Sequence, residues 1–416
     1  MARTKIIIEY ITRGMPNILP LWKLKYHMVY LYSLFVGAFD KVQVYIVQGL
    51  LKSNEHRIKT LFIGNEQTVY QFASLAYSKI DRLSLIETCR FYQIYQFIKA
   101  DMSEIVAARV DRPFMARFLD QGCFLLPNVS FYLNLDRPID SIIKRMSRRR
   151  RRDIRKIESS NLRYKVSKGN DDDFDFFYWR MYLPYAKSRF GKGAYVKTCA
   201  ESKSIYCKSG GIIFVTLESK PIAGILFRQT GKTLQALSFG ALLDDQSMNQ
   251  AHNLAGLASL FFLIKWAHES GFKNLNYGVS MPFLNEGIFT YKKEWGMNVN
   301  DQREGSVCAL KLNYVTSSTL SFLAQNPFII IDKRKLKGIV FIDHKLEKSE
   351  FQQIMKKHYL PNLDSLEVIS YYKPDTNIND TSSLFTDSRT LPASLFTICQ
   401  ALLNNGFRVE VSELTK

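Results

Sequence analysis

The sequence predicts an α/β protein built on a mixed sheet, and three observations in one stretch carry that prediction. Gly211–Leu217, Pro221–Arg228 and Thr233–Gly240 are strand-like runs separated by turn-like Glu218–Lys220 and by Gln229–Lys232, which holds a glycine. Turns this short join only antiparallel neighbours. Gln250–Ser270 is apolar on nearly every face, with Gly271 after it, as expected of a buried helix and its C-terminal stop. Asn274–Val279 is a strand reached through that helix, so it is expected to lie parallel to a neighbour.

The elements upstream follow in chain order. Met1 to Leu51 is aromatic, and basic at its start, and its apolar core Met28–Phe39 is about twelve residues long, which suits a packed or interfacial helix rather than a span. Arg57–Gly64 reads as a strand, Glu66–Ser78 as a helix, Leu83–Cys89 as a strand, and Phe124–Leu135 as a late strand before the turn at Asp136-Arg137-Pro138. Ser141–Glu158 reads as one helix with Ile143, Met146, Ile154 and Ile157 on one face. Arg150 falls in that apolar stripe, four residues from both Met146 and Ile154. An arginine held there needs a carboxylate or a phosphate. Arg151 and Arg155 sit one turn apart on a flanking face. Asp171-Asp172-Asp173 can cap the next helix, whose Phe174, Phe177, Tyr178, Met181, Tyr182 and Tyr185 keep helical spacing, and Pro184 is expected to kink or end it. Downstream, Gly305–Asn313 reads as the last strand of this region. Phe328 to Lys416 reads as a separate small αβ unit, with strands at Gly338–Ile342, Ser365–Tyr371 and Phe407–Val411, helices at Glu350–His358 and Leu395–Asn404, and a polar loop at Lys373–Arg389.

Composition narrows the class. A chain of 416 residues has room for two or three domains. A net charge of +19 attracts polyanions, and twelve Lys/Arg against two acids between Lys144 and Lys168 concentrate it. The six cysteines form no CxxC pair and lack metal-ligand spacing, so they are expected to be reduced thiols in a cytoplasmic protein with no metal. No signal peptide is evident, and no run of apolar residues is long enough for a transmembrane helix. No Walker loop or HExxH is present.

Three motifs give this layout a family resemblance. Asn285-Glu286-Gly287-Ile288-Phe289-Thr290-Tyr291-Lys292-Lys293-Glu294-Trp295-Gly296 resembles the Gly-x-x-x-(Phe/Tyr)-Lys-x-x-(Trp/Phe)-Gly segment of the FemAB-like branch of the GNAT N-acyltransferases. Arg151-Arg152-Asp153-Ile154-Arg155-Lys156 resembles the helix that opens the domain in that branch, and Tyr185-Ala186-Lys187-Ser188-Arg189-Phe190-Gly191 resembles its Tyr-x-x-Arg-x-Gly segment. The resemblance covers residues 138–313. It implies a GNAT-like acyltransferase domain at 137–315, a degenerate GNAT-like half before it at 53–136, an aromatic basic segment at 1–52 and a small αβ domain at 326–416.

The resemblance also implies the chemistry. Two neighbouring parallel strands should splay and open a cleft near Phe239, Gly240, Gly278 and Ser280. Lys292 matches the lysine that stabilises the negative charge developing on the carbonyl, with Tyr291 packing under the donor. Tyr185 and Arg189 would position the acceptor, with Asn285 as a further polar ligand. Arg150, Arg151 and Arg155 would meet the phosphates of the donor. Met248–Gly256 lacks the (Gln/Arg)-x-x-Gly-x-(Gly/Ala) loop of acetyl-CoA enzymes, which leaves acyl-CoA and aminoacyl-tRNA both open as co-substrate. The expected acceptor is an amine on a cell-envelope or polysaccharide precursor, and the expected setting is the cytoplasm or the inner face of the membrane, by peripheral contact. The alternative is a non-catalytic protein that binds RNA or anionic lipid on a degenerate GNAT scaffold.

Overall fold

Three sheets organise the chain in a computed structural model that describes residues 41–52, 56–191, 196–243, 249–301, 306–373 and 391–415. The segment Met28–Phe39 lies outside these residues, as do most of the polar stretch 373–389 and the start of the 248–256 loop.

The first sheet comes mainly from the first third of the chain. Its strands are β1 (Lys41–Leu51), β2 (Arg57–Gly64), β3 (Tyr77–Arg90), β4 (Ile105–Asp111) and β5 (Phe124–Pro127), with α1 (Glu66–Ala76), α2 (Ile94–Ala100) and α3 (Met115–Leu119) between them. The sidechain of Asn65 caps α1 by accepting from the amide of Thr68. β1 is a full strand paired to β2 and β3, so residues 41–51 belong to this sheet rather than to a leading aromatic segment.

The second sheet holds the stretch read first from the sequence. Leading into it are β6 (Val129–Asn134), α4 (Ile139–Lys144), α5 (Arg148–Glu158) and β7 (Leu162–Ser167). A helical run follows: α6 (Asp171–Asp175), a π-helical segment at Phe176–Tyr182, α7 (Leu183–Phe190), and then α8 (Cys199–Ser209). The meander is β8 (Gly210–Leu217), β9 (Lys220–Thr230) and β10 (Thr233–Ala241), followed by α9 (Asn249–Glu269), β11 (Asn274–Ser280), α10 (Gly287–Glu294) and β12 (Asn298–Asp301). Glu218 and Ser219 both take positive φ (49° and 65°), the mirror-image turn whose twist suits a two-residue hairpin. α9 seats Ala255, Ala258, Leu260, Leu263, Ile264 and Ala267 in the core, and Gly271 (φ 75°) ends the helical path. β11 then returns parallel to β10.

The two sheets exchange strands, which the sequence reading did not anticipate. The second sheet has the order β12-β6-β11-β10-β9-β8-β7, so β6 enters it from the first third of the chain. In return β13 (Ser306–Leu312) leaves the second region and pairs with β4 and β5 in the order β3-β1-β2-β4-β13-β5. Phe124–Leu135 is therefore two strands in two sheets, and the strand expected to close the second region closes the first.

Two helix expectations also change. Ser141–Glu158 is two helices, because Ser147 starts α5 as its N-cap by accepting from the Arg150 amide. Pro184 does not end the run 171–190, since it lies at the start of α7, where a missing N–H is tolerated after the π segment.

The third sheet follows α11 (Ser317–Gln325) and has the order β14 (Phe328–Asp332), β15 (Lys335–Ile342), β16 (Ser365–Tyr372), β17 (Arg408–Thr415), with α12 (Lys348–His358) and α13 (Ala393–Asn404). It is not a detached unit. Phe328 packs on Phe124 (ring centroids 5.2 Å) and on Phe283 (6.4 Å), so its core is continuous with that of the rest of the chain. Among the described residues no helix is long and apolar enough to cross a membrane.

Candidate functional site

β10 and β11 pair through only three residues, Thr233–Gln235 against Asn274–Asn276. Beyond them β10 runs on to Ala241 and β11 to Ser280 without pairing with each other. Two local features turn the strands apart. The β9–β10 register shifts between Ala236 and Ser238, and the β6–β11 register shifts between Asn276 and Val279. Gly278 lies in the second shift at φ 71°, with its amide held by the Asn276 side chain at 2.8 Å.

Aromatic side chains line the wedge this creates. Tyr185 of α7 meets Phe239 of β10 edge to face at 4.9 Å. Tyr277 of β11 lies against Tyr291 of α10, with ring centroids 6.4 Å apart. Burial pushes the Tyr277 phenol well above its ordinary range, and the neighbouring phenols of Tyr291 and Tyr185 add to the shift. Burial pushes Tyr291 up to about 12, opposed by the Arg150 charge and Trp295. Tyr185 thus links the two diverging strands. The π segment matters here: Gly240 lies so close to Tyr182 that a Cβ would stand 2.5 Å from the Tyr182 amide nitrogen, which fixes where α7 begins and so where Tyr185 stands.

Lys292 sits at the β11 side of the wedge, 4% exposed. Its Nζ donates to the carbonyl oxygens of Val279 (2.9 Å) and Gly278 (3.3 Å), the residues at which β11 turns away. The Phe131 and Tyr277 rings lie 5.1 and 5.8 Å from it. Burial brings this lysine down to about 7, with only the charge of Glu286 acting against it. Glu286 itself caps α10 by accepting from the amides of Ile288 and Phe289. The side chain therefore has two carbonyl acceptors, two rings and a charge that changes near neutrality, an arrangement able to donate a hydrogen bond to an oxyanion or to exchange a proton.

The other sequence candidates divide. Gly278 supplies a carbonyl to Lys292, Tyr185 and Phe239 meet each other, and Tyr291 lies against Tyr277, whose ring faces the Lys292 ammonium. Gly240 backs onto the helix rather than facing open space. Ser280 is buried with its hydroxyl unpartnered. Arg189 is exposed on the last turn of α7. Asn285 is exposed and donates to the Gln325 carbonyl, which ties a loop to α11 and keeps it out of the wedge. Arg150 is corrected. It is 5% exposed and paired to Asp153 (3.0 Å) and Glu294, with its guanidinium 5.1 Å over the Tyr291 ring, so carboxylates take the place a phosphate would need. Arg151 donates to the carbonyls of Lys144 and Met146 and closes the end of α4, while Arg155 lies on the surface and donates to the Arg151 carbonyl.

Sequence reasoning missed Tyr277, Phe131 and Glu294. Glu294 stood in the quoted motif, three residues from Tyr291 on one helix face, but nothing in the sequence pairs it with Arg150, 144 residues away. Phe131 had no signal either, because β6 reaches the site only through the strand exchange. A cleft of about 430 Å³ lies elsewhere, between α13 and the chain after β13, lined by Asn313, Tyr314, Thr316 and Thr397 among others. It has no charged side chain in its lining. Among the described residues no group of three His, Cys, Asp or Glu is placed to hold a metal ion.

No protein-family model matches the chain, and no curated protein matches it in sequence. Solved structures do resemble it. FemX is 11% identical, covers 67% of this chain and 86% of its own, and superposes with a TM-score of 0.35. L-PGS from Bacillus licheniformis is 11% identical over 67% of this chain and 87% of its own, with a TM-score of 0.34. A GCN5-related N-acetyltransferase from Sphaerobacter thermophilus is 10% identical over 61% of this chain and 72% of its own, with a TM-score of 0.30. Likeness at this level speaks to neither substrate nor chemistry. The meander, the crossover helix and the opened parallel pair are the layout that the resemblance of the sequence motifs to the FemAB-like branch of the GNAT acyltransferases implies.

Proposed function

We propose that the chain is an N-acyltransferase that moves an acyl or aminoacyl group from a phosphate-bearing donor, acyl-CoA or an aminoacyl-tRNA, to an amine on a cell-envelope or polysaccharide precursor. The observation that carries the reading is Lys292, buried beside the two carbonyls at which β11 leaves β10. The acceptor nitrogen attacks the carbonyl carbon and a C–N bond forms. The oxyanion collapses, the C–S or C–O bond to the donor breaks, and the proton shed by the amine balances the one gained by the thiolate or ribose oxygen. With two N–H groups committed to Gly278 and Val279, the Lys292 ammonium keeps a third for the oxyanion. Tyr185 and Phe239 supply an apolar wall on the β10 side, which lowers the local dielectric and strengthens that hydrogen bond. The non-catalytic alternative has no observation of its own at this site.

The test is a thermal-shift screen of CoA thioesters against charged tRNAs, followed by single-turnover transfer with whichever donor stabilises the protein. Lys292→Met should keep the stabilisation by donor and lose transfer by about 100-fold or more, the scale of one oxyanion donor. Transfer at the wild-type rate in that variant would refute the role of Lys292.

A further inference from the structure

The segment that carries Lys292 is gripped at both ends by chain from much later in the sequence. At its start, the Leu284 amide donates to the Pro327 carbonyl (2.7 Å) and the Ile329 amide donates to the Pro282 carbonyl (2.8 Å). Phe283 and Phe328 form a β-bridge between these bonds. At its end, the Lys293 ammonium donates to the Lys357 carbonyl in the last turn of α12. Just beyond α12, the Asn362 side-chain amide donates to the Tyr132 hydroxyl of β6. Tyr132 is next to Phe131, whose ring lies 5.1 Å from the Lys292 ammonium.

Adjacent lysines on α10 therefore have different partners. Lys292 bonds the carbonyls where β11 turns away, and Lys293 bonds the last turn of α12. α10 is only eight residues long, so its own hydrogen bonds do little to fix its position, and tertiary contacts must do so. We propose that the chain after Phe328 is a positioning unit for the Lys292 site: it seats α10 through Lys293 and the adjoining strand β6 through Asn362, and loosening that seat moves the Lys292 ammonium off the carbonyls of Gly278 and Val279. This rests on Lys292 being the group that serves the wedge. Lys293 and Asn362 are positioning residues, since neither touches the wedge. The groups that face them fit the role. Lys293 meets Lys357 and the buried His358, both on α12, and burial with Lys357 brings it down to about 8. Lys292 meets Glu286 at the N-cap of its own helix and the Tyr277 ring on β11. A latch made from a half-buried lysine and a helix C-terminus holds by geometry and the helix dipole, without a carboxylate.

The experiment is trace acylation of the full-length protein by acetic anhydride across pH 6–10, read residue by residue by mass spectrometry. It needs no donor or acceptor, so it is independent of the enzyme reading. Lys293→Met and Asn362→Leu should each raise labelling of Lys292 about tenfold relative to exposed lysines at the high-pH end of the range, where the amine is largely deprotonated, because the site opens locally. They should also move the pH midpoint of Lys292 labelling upward, toward that of an ordinary lysine, while Lys293→Arg restores the wild-type profile. An unchanged Lys292 profile in both folded loosening variants, with a lowered melting temperature alone, would overturn the proposal. If one variant does not fold, the other decides by the same profile. A shifted profile together with full transfer by Lys292→Met would leave the latch standing and remove the catalytic role of Lys292, while a shifted profile with no transfer from any donor would leave the latch standing and remove the enzyme reading.

Discussion

Two of the three parallel strand junctions among the described residues, one in each of the first two sheets, start from the same layout and end differently. In the first sheet, β2 and β4 pair through Thr60–Ile63 against Ile105–Ala108, and β2 ends one residue later at Gly64. In the second, β10 and β11 pair through three residues and then both continue, apart. Each sheet takes the neighbour of its parallel pair from the other half of the chain, β13 in one case and β6 in the other. Charge is satisfied differently at each. Beside β4, Arg109 donates to the Ser306 hydroxyl at 2.7 Å and Arg112 forks onto both oxygens of Asp301. Beside β11, Lys292 has backbone carbonyls and rings, and no carboxylate bonded to it. One topology thus gives a junction closed by ion pairs, and an open one where a buried lysine has carbonyl dipoles and rings around it.

The largest effect that would sharpen this contrast is at the ion pairs. Arg150→Met strands Asp153 and Glu294 beside the wedge and removes the cation over Tyr291, so it should cost about 3–5 kcal/mol in urea unfolding. Arg112→Met breaks one fork to a single carboxylate, and its arginine is more accessible, 18% exposed against 6% for Arg150, so it should cost about 2 kcal/mol. Equal costs would mean that the wedge does not depend on its arginine more than the closed junction does on its own.

A smaller effect per pH unit comes from Lys292. Its folded value is about 7 against an ordinary 10.5. Between those two values the unfolded chain holds a proton that the folded chain has released, so stability rises with pH across that window. Below about 7 both states hold the proton, and the cost of burying the ammonium is fully present. The slope from this group reaches at most about 1.4 kcal/mol per pH unit. Lys293 contributes with the same sign from about 8 upward. Lys292→Met should therefore stabilise the protein at pH 6 and flatten the curve between 7 and 10. A variant less stable at pH 6, with its slope intact, would show that the lysine is not desolvated.

These contrasts also explain what could be read in the sequence. The β8–β9–β10 meander, α9 and β11 were legible because short turns, an all-round apolar helix and its glycine stop are local signals. The burial of Arg150 followed from helical spacing alone. The identity of its partner did not, since the carboxylate of Glu294 arrives from 144 residues away. Strand exchange was illegible for a similar reason. Nothing in the alternation of Phe124–Leu135 or of Ser306–Leu312 says which sheet receives a strand, because a strand carries its faces in its sequence and not its neighbour. The break at Ser147 was legible in principle: a serine three residues before the amide it caps is a start signal, and the apolar spacing across it hid the interruption.

The smallest expected difference separates two glycines of the wedge. At Gly240 a Cβ would lie 2.5, 2.6 and 2.7 Å from backbone atoms of Tyr182 and Met181, and backbone cannot rotate away as a side chain can. Gly240→Ala should therefore push the π segment outward, cost about 1–3 kcal/mol by overpacking, and carry Tyr185 away from Phe239. At Gly278 a Cβ would meet nothing within 4 Å, so only the positive φ resists, and Gly278→Ala should cost about 1 kcal/mol. Yet Gly278 supplies a carbonyl to Lys292, and Gly240 does not. The larger loss of stability should accompany Gly240→Ala, while any change in the pH midpoint of Lys292 should accompany Gly278→Ala. If both effects fell on the same glycine, packing against α7 and the setting of Lys292 would be one property of the wedge rather than two.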